Sequence, residues 1–366
     1  MRSIEHTDVA IIGGGFYGAF AANEIKTNRP DLDVVLLEKE TEPFTHASST
    51  NQGQFHMGYM YSGDKELASE CVENIKRFSS DFKDAIDDEV TSLYGVHEDS
   101  QISADEFAEF CEGIGLPVKT ANDSLRVFGS NVLHIFETAE KTFNSAAIQR
   151  IFMAKLALNN CKLITNSCID SIEEGKNGID IVSKDKVITA SNVFNATFAD
   201  INNLHDRSGL SKIPLQHDTF LHFVMDLPGD YSNVAATAVR GPFASLLPSS
   251  FRGGHILASG KYRKIRSNMN DKPSEAIDME EVASRYTMAI KEARDYLPIL
   301  DLGTYRGHTV GTRAAHIDPD TGAYTSKAMV FKDFDGIKGY HTILGGKVSC
   351  MFDIQAPMKN IIDSNS

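Results

Sequence analysis

Tryptophan is absent from this 366-residue chain, and its five cysteines (Cys71, Cys111, Cys161, Cys168 and Cys350) are scattered, with no Cys-x-x-Cys pair. That spacing excludes a zinc ribbon and a dithiol redox motif, and dispersed thiols in odd number fit reduced cysteines in a cytoplasmic setting. No apolar run approaches the roughly 18 residues that a membrane-spanning helix needs. The opening MRSIEHTD lacks a basic region followed by an apolar stretch and a cleavage site, so no signal peptide is expected. Positive charge is also scarce: 36 Lys and Arg stand against 50 Asp and Glu, a formal net charge of −14. Such a balance argues against nucleic acid or an anionic membrane as partner. No internal repeat and no metal-ligand spacing are present. What remains, 42% hydrophobic and 23% charged, is the composition of an ordinary globular protein long enough for two or three domains.

Chemistry enters at the first apolar run. Asp8 to Ile12 reads as a short buried strand, and Gly13-x-Gly15-x-x-Gly18 follows at once. A helix over Phe16 to Lys26 keeps Ala19, Ala21 and Ala22, small enough to lie close to a sheet. Thr27 to Asp33 is a turn, and Asp33 to Glu38 is a second buried parallel strand. In this setting Gly13 permits the tight turn, Gly15 lets a pyrophosphate approach the backbone, and Gly18 lets helix and strand touch, while the helix N-terminus supplies amide donors. Glu38 ends the second strand 25 residues after Gly13, near the expected spacing of about 20 for a carboxylate that binds ribose hydroxyls. Such a carboxylate repels a 2′-phosphate, which favours FAD or NAD over NADP. The following stretch, Glu38 to His56, is dense in Ser, Thr, Asn and Gly, and suits a pyrophosphate, a ribityl chain or an isoalloxazine edge. It favours FAD.

The glycine-rich turn, Glu38-Lys39 and the pattern H-x-S-x-x-N-x-G-x-x-H-x-G-x-x-Y from His46 to Tyr61 resemble the D-amino-acid-oxidase-type FAD-dependent oxidoreductases, and within them the L-2-hydroxyglutarate dehydrogenases. Asn195-Ala196-Thr197 and Val310-Gly-Thr-Arg313-Ala-Ala extend the likeness, so that three patches together span more than half of the chain. The resemblance implies an α/β fold: a Rossmann-like FAD-binding domain and a second, antiparallel-sheet substrate domain. Cofactor contacts are expected from Gly13, Gly15, Phe16, Tyr17, Gly18, Glu38, Lys39, His46, Ser48, Ser49, Asn51, Gly53, Ala196, Thr197, Gly345, Gly346, Lys347 and Val348. Covalent flavin attachment at His46, as in some relatives, is not expected. Two departures stand out. Phe198 replaces the Gly that usually follows N-A-T in this family. ILGGKVSCMFD is closer to the GGK turn of FAD-dependent glycerol-3-phosphate dehydrogenases, so the resemblance leaves the substrate open.

Several side chains then suggest a reaction. His56 is the candidate base, because imidazole titrates near neutrality and accepts a hydroxyl proton as hydride leaves for flavin N5. Arg313 suits a carboxylate, which guanidinium grips in bidentate fashion, and Arg240 is a second candidate for that contact. Tyr59 and Tyr61 alternate with Met60 and share one side if the stretch is extended. A helix starting soon after Gly345-Gly346, with Lys347 beside it, would stabilise negative charge at flavin N1 and O2. The expected activity is FAD-dependent oxidation of a small carboxylate-bearing substrate of 2-hydroxy-acid type. Dioxygen, a quinone or a carrier protein would serve as electron acceptor. Oxidation of a C–N bond in an amino acid or secondary amine is the alternative, and a catalytically retired flavin-binding sensor or scaffold the alternative of another class. A disulfide reductase is excluded by the missing Cys-x-x-Cys and second GxGxxG.

Motif order predicts a discontinuous FAD-binding domain over residues 1–86, 134–206 and 309–366, with the substrate domain over 87–133 and 207–308. Helices are expected over Ser62 to Ile86, after the Ser103–Glu106 capping box, after Asn144 or Ser145, and over Glu280 to Leu297. Short strands and a Gly-Gly turn are expected from Thr309.

Overall fold

The computed structural model describes residues 3–364. β1 (Ser3–Ile12) leads through Gly13–Gly15 into helix α1 (Phe16–Asn28), and the chain returns in β2 (Val34–Leu37). β1 is longer than its apolar stretch suggests, because Ser3 to Thr7 pair in parallel with Lys186 to Ala190. It is the centre of a sheet whose parallel strands run Lys162–Ile164, β2, β1, Lys186–Asn195 and Tyr340–Leu344. Antiparallel strands Ile169–Gly175, Gly178–Ser183 and Met329–Phe331 complete it.

β2 is buried along its whole length, the apolar-run signature of a parallel strand covered on both faces. Ala19, Ala21 and Ala22 in α1 are fully buried, so the small residues do bring helix and sheet together. Gly18 has a stricter role: a Cβ there would lie 1.8 Å from the Gly13 carbonyl oxygen. A single turn, α2 (Ala47–Thr50), interrupts the polar loop after β2. Then come α3 (Lys65–Asp81), capped by the Asp64 side chain, and α4 (Ala104–Gly113), opened by the Ser103–Glu106 capping box. α5 (Ser145–Leu158) is capped by Asn144. Phe16, Phe44, Phe143 and Phe152 join α1, the loop after β2 and α5 in one aromatic cluster. Each buried ring contributes on the order of 2–3 kcal/mol of apolar burial.

The second layer is a ten-stranded sheet. Its order is Tyr324–Thr325, Thr304–Ile317, Leu215–Asp226, His255–Ala258, Ser245–Pro248, Val234–Ala238, Thr91–His97, Val132–Thr138 and Val118–Thr120, with Lys264–Met269 also pairing with Leu215–Asp226. Pairing is antiparallel throughout except between Val234–Ala238 and Thr91–His97. Thr304–Ile317 is a single 14-residue strand rather than a set of short ones, and it pairs with Leu215–Asp226 along nearly its whole length. The expected boundaries at 134 and 309 therefore fall inside strands of this sheet. The helix expected over Glu280 to Leu297 spans Met279–Ala293 and packs its apolar face on the sheet's core. Beyond Gly346 the chain forms a 3-10 segment, Val348–Ile354, and the α-helix begins only at Gln355. No α-helix N-terminus stands at the GGK turn.

Candidate active site

A cavity of about 440 Å3 lies between the two sheets. Its first wall is the βα corner. Gly13 has φ +104°, and a Cβ there would meet the Ala196 carbonyl oxygen at 2.8 Å. Gly15 is the N-cap of α1 and offers no side-chain acceptor, so first-turn amides face the cavity. One of them, Phe16 N–H, donates to Ser48 Oγ at 3.2 Å. Glu38, buried at the end of β2, accepts from Gly14 N–H (2.7 Å) and Glu40 N–H (2.9 Å). A carboxylate has about four lone-pair sites, so capacity for hydroxyl donors remains. Lys39 lines the wall while paired with Asp200 at 2.9 Å, and His46 sits at the rim with Nε2 2.8 Å from Glu40.

Ala196 and Thr197 close this wall from the end of Lys186–Asn195, and Phe198 follows with φ +56°. Phenylalanine thus holds the left-handed conformation that glycine adopts without strain. Tyr17, Asn51, Gly345, Gly346, Lys347 and Val348 also line the cavity. A Cβ on Gly345 would press on the Tyr17 ring at 2.8 Å. A glycine-floored cradle at a helix N-terminus and a carboxylate at the ribose position fit a dinucleotide.

Three expected contacts lie elsewhere. Gly18 serves the helix–strand approach and does not line the cavity. Gly53 (φ +71°) turns against the Phe143 carbonyl, and the Ser49 hydroxyl is spent on Thr45 and His46 carbonyls.

At the other end the cavity is cationic. Arg313 lies 3.1 Å from Asp218 Oδ2, and its guanidinium stands 5.0 Å from the centre of the Phe220 ring. Burial works against ionised Asp218, but the Ser267 hydroxyl and Arg313 hold it below the usual carboxylate range. Arg263 lies 5.1 Å from the same ring, and burial followed by the Arg313 charge lowers its pKa. Lys347 is not a solvated lysine: its Nζ sits 5.1 Å above the Tyr61 ring, and burial with the Arg313 charge brings it down to about 8.

His56 lines the cavity beside this cluster. Its Nδ1 is buried with no hydrogen-bond partner among the described residues. Burial, then the Lys347 and Arg263 charges, hold its pKa well below 6.5, so the ring is neutral at pH 7. Its backbone is pinned on both sides. Ser349 Oγ donates to the His56 carbonyl at 3.3 Å, and Met57 N–H donates to Glu140 at 2.9 Å. Glu140 also accepts from Gln54 Nε2 at 2.9 Å and from the Tyr94 hydroxyl. Burial pushes this carboxyl up, and the three donors oppose the shift.

Tyr59 to Tyr61 form a 3-10 turn, not an extended stretch, so the two tyrosines part. Tyr61 stands behind the cavity wall, its ring 5.5 Å from His56 and its hydroxyl buried without a partner among the described residues. Tyr59 donates to the Pro117 carbonyl at 2.6 Å in the core of the second sheet. Arg240 lines a separate cavity. Residues not singled out from the sequence complete the site: Phe220, His222, Gln52, Gln54 and Arg263. Alternation along Leu215–Asp226 puts Phe220 and His222 on one face, a readable signal. Arg263 has none, being one basic residue of several in KYRKIR.

This is the architecture of a flavin-binding oxidoreductase that roofs its cofactor with a second sheet. Residues 8–343 match the DAO family, FAD dependent oxidoreductase, and the chain belongs to it. Among curated proteins, it is 41% identical over 75 residues to the mitochondrial L-2-hydroxyglutarate dehydrogenase of Nematostella vectensis, which is 20% of this chain and 16% of that protein. To the L-2-hydroxyglutarate dehydrogenase of Escherichia coli strain K12 it is 37% identical over 65 residues, 18% of this chain and 15% of that one. The matched segment is thus about a sixth of these relatives' length. Solved structures align almost end to end. Glycine oxidase from Geobacillus kaustophilus gives a TM-score of 0.74 at 15% identity, covering 98% of this chain and 95% of that one. NikD, an amino acid oxidase essential for nikkomycin biosynthesis, gives 0.76 at 13% identity, covering 99% and 95%. At such identities the likeness is one of fold. Among the described residues no helix is long and apolar enough to cross a membrane, and no cluster of three His, Cys, Asp or Glu side chains is placed to hold a metal ion.

Proposed function

We propose that the protein oxidises the CH–OH of a small 2-hydroxy-acid-like carboxylate. The observation that carries this reading is the convergence of Arg263, Arg313 and Lys347 on a neutral His56 at one end of the cavity. In a chain with net charge −14, a pocket end this cationic selects anions.

FAD, when bound, accepts the hydride that leaves the substrate carbon. The Gly13–Phe16 corner would hold its pyrophosphate, Glu38 its adenine-side ribose, and the Gly345–Val348 backbone the flavin edge. Arg313, oriented by Asp218 and Phe220, grips the substrate carboxylate, and Arg263 adds a second guanidinium beside it. His56, neutral at the working pH, takes the hydroxyl proton. Tyr61 lies against the imidazole and sets its tilt. The two sheets exclude water from the proton transfer. A reducing, cytoplasmic setting is part of the reading, supported by five free thiols.

The test is an anaerobic screen of the FAD-loaded protein against 2-hydroxy acids, amino acids, secondary amines and polyol phosphates, following visible flavin absorbance. Bleaching by a 2-hydroxy acid supports the proposal. Bleaching by amino acids or secondary amines alone replaces it with CH–NH oxidation, which the same arginine grip would serve.

A further inference from the structure

A second cavity, of about 390 Å3, lies against the first, and nothing in the oxidation itself uses it. Its rim is exposed, at Met60, Gln101 and Arg240, and its lining passes inward through Phe243 to buried Ser245. Arg263 lines both cavities. The partition is thin: Gln52, from the main cavity, donates to Ser245 Oγ, from the second, at 3.1 Å.

The charge of this space is distinctive. Its lining residues include two arginines and no Asp or Glu, in a chain where acids outnumber bases 50 to 36. Neither guanidinium has an ion-pair partner among the described residues. The outer one is held at a cost. Arg240 has φ +54°, a conformation that side chains other than glycine rarely adopt. Its guanidinium is seated on Gly63, where a Cβ would come within 2.0 Å of Nη1. A strained backbone and a glycine thus place one cation at the mouth, while Arg263 places another at the junction with the main cavity.

We propose that the second cavity is the entry passage for anionic substrate, with Arg240 as the outer station and Arg263 as the inner one, handing a small carboxylate on to Arg313. This rests on the carboxylate reading above. A fixed positive charge at a rim raises the rate of encounter with an anion and does so less as salt rises, with little effect on how long the bound ligand stays.

Malonate has two carboxylates and no oxidisable CH–OH, so rapid mixing with the oxidised FAD-loaded enzyme reports binding alone through the flavin spectrum. For the unmodified protein the association rate constant should fall steeply with added salt. In Arg240→Gln it should drop about tenfold at low salt and lose most of that salt dependence, while dissociation stays within about twofold. Met60→Trp, which narrows the rim at an exposed position, should slow association and dissociation together and leave the affinity unchanged. Unaltered association in Arg240→Gln overturns the passage. So does faster dissociation alone, which would make Arg240 part of the bound state. If malonate fails to perturb the flavin even in the unmodified protein, the carboxylate reading itself fails and the passage falls with it.

Discussion

Lys347 and His56 titrate in opposite directions of usefulness, and their positions fix the shape of the pH profile. His56 must be neutral to act as base, and its folded pKa lies well below 6.5. Activity should therefore survive acidification past the ordinary histidine range and fall only as pH drops through that lower value. Lys347 carries its charge below about 8, so kcat/KM for an anionic substrate should decline above that pH. Lys347→Met should abolish the alkaline limb, and by removing a neighbouring cation it should move the acid limb upward toward 6.5. A pH series of kcat/KM on both proteins checks each sign. Replacing His56 by Asn should slow flavin reduction roughly 100-fold or more with FAD still bound. Unchanged reduction kinetics would remove it from the base role. Glu140 acts one step further out. Glu140→Gln sets an amide N–H2 among three donors, and should cost about 1–3 kcal/mol in denaturant unfolding of the FAD-loaded protein. It should also lower the rate of flavin reduction by loosening the Gln54–Met57 segment.

Among the elements, the β1–α1–β2 unit was legible because buried parallel strands are apolar runs and the corner between them demands glycine at fixed positions. Gly18→Ala would place a methyl carbon at 1.8 Å from the Gly13 carbonyl, prising α1 from β1 and disordering the amides proposed to hold the pyrophosphate. The variant should purify largely colourless, which its visible spectrum would show at once. Thr304–Ile317 was not legible. TYRGHTVGTRAAHI has few apolar residues to alternate, and its partner strand lies 95 residues away at the Asp218–Arg313 contact. The glycine at 311 that looks like a strand-breaker is there because a Cβ would meet Thr50 Oγ1 at 2.0 Å. The conformation of Tyr59–Tyr61 was open for a related reason. Its alternation would put both tyrosines on one side only in an extended strand, but Gly58 at φ +123° starts a 3-10 turn, and a conformational freedom is invisible in residue spacing. Arg263 was hidden because its position in the site depends on the long-range path of the sheet.

For the molecule as a whole, the cavity between the sheets makes cofactor binding and stability one quantity. On the placement proposed above, FAD would fill the cavity, the seam between the βα corner and the Gly345–Val348 turn. Free FAD at 100 times its Kd should add about 2.7 kcal/mol to folding. The melting temperature should therefore climb with FAD concentration, and a melting temperature indifferent to FAD would contradict the placement. The same seam contains the Tyr17 hydroxyl donating to the Lys347 carbonyl at 2.7 Å, a contact that spans 330 residues. A ribosome delivers Lys347 330 residues after Tyr17. During translation the nascent chain can shape the phosphate corner long before it owns the wall opposite. Retention of the cofactor would therefore wait on Lys347, and a chain interrupted before Gly345 would carry the glycine-rich corner without the means to close it.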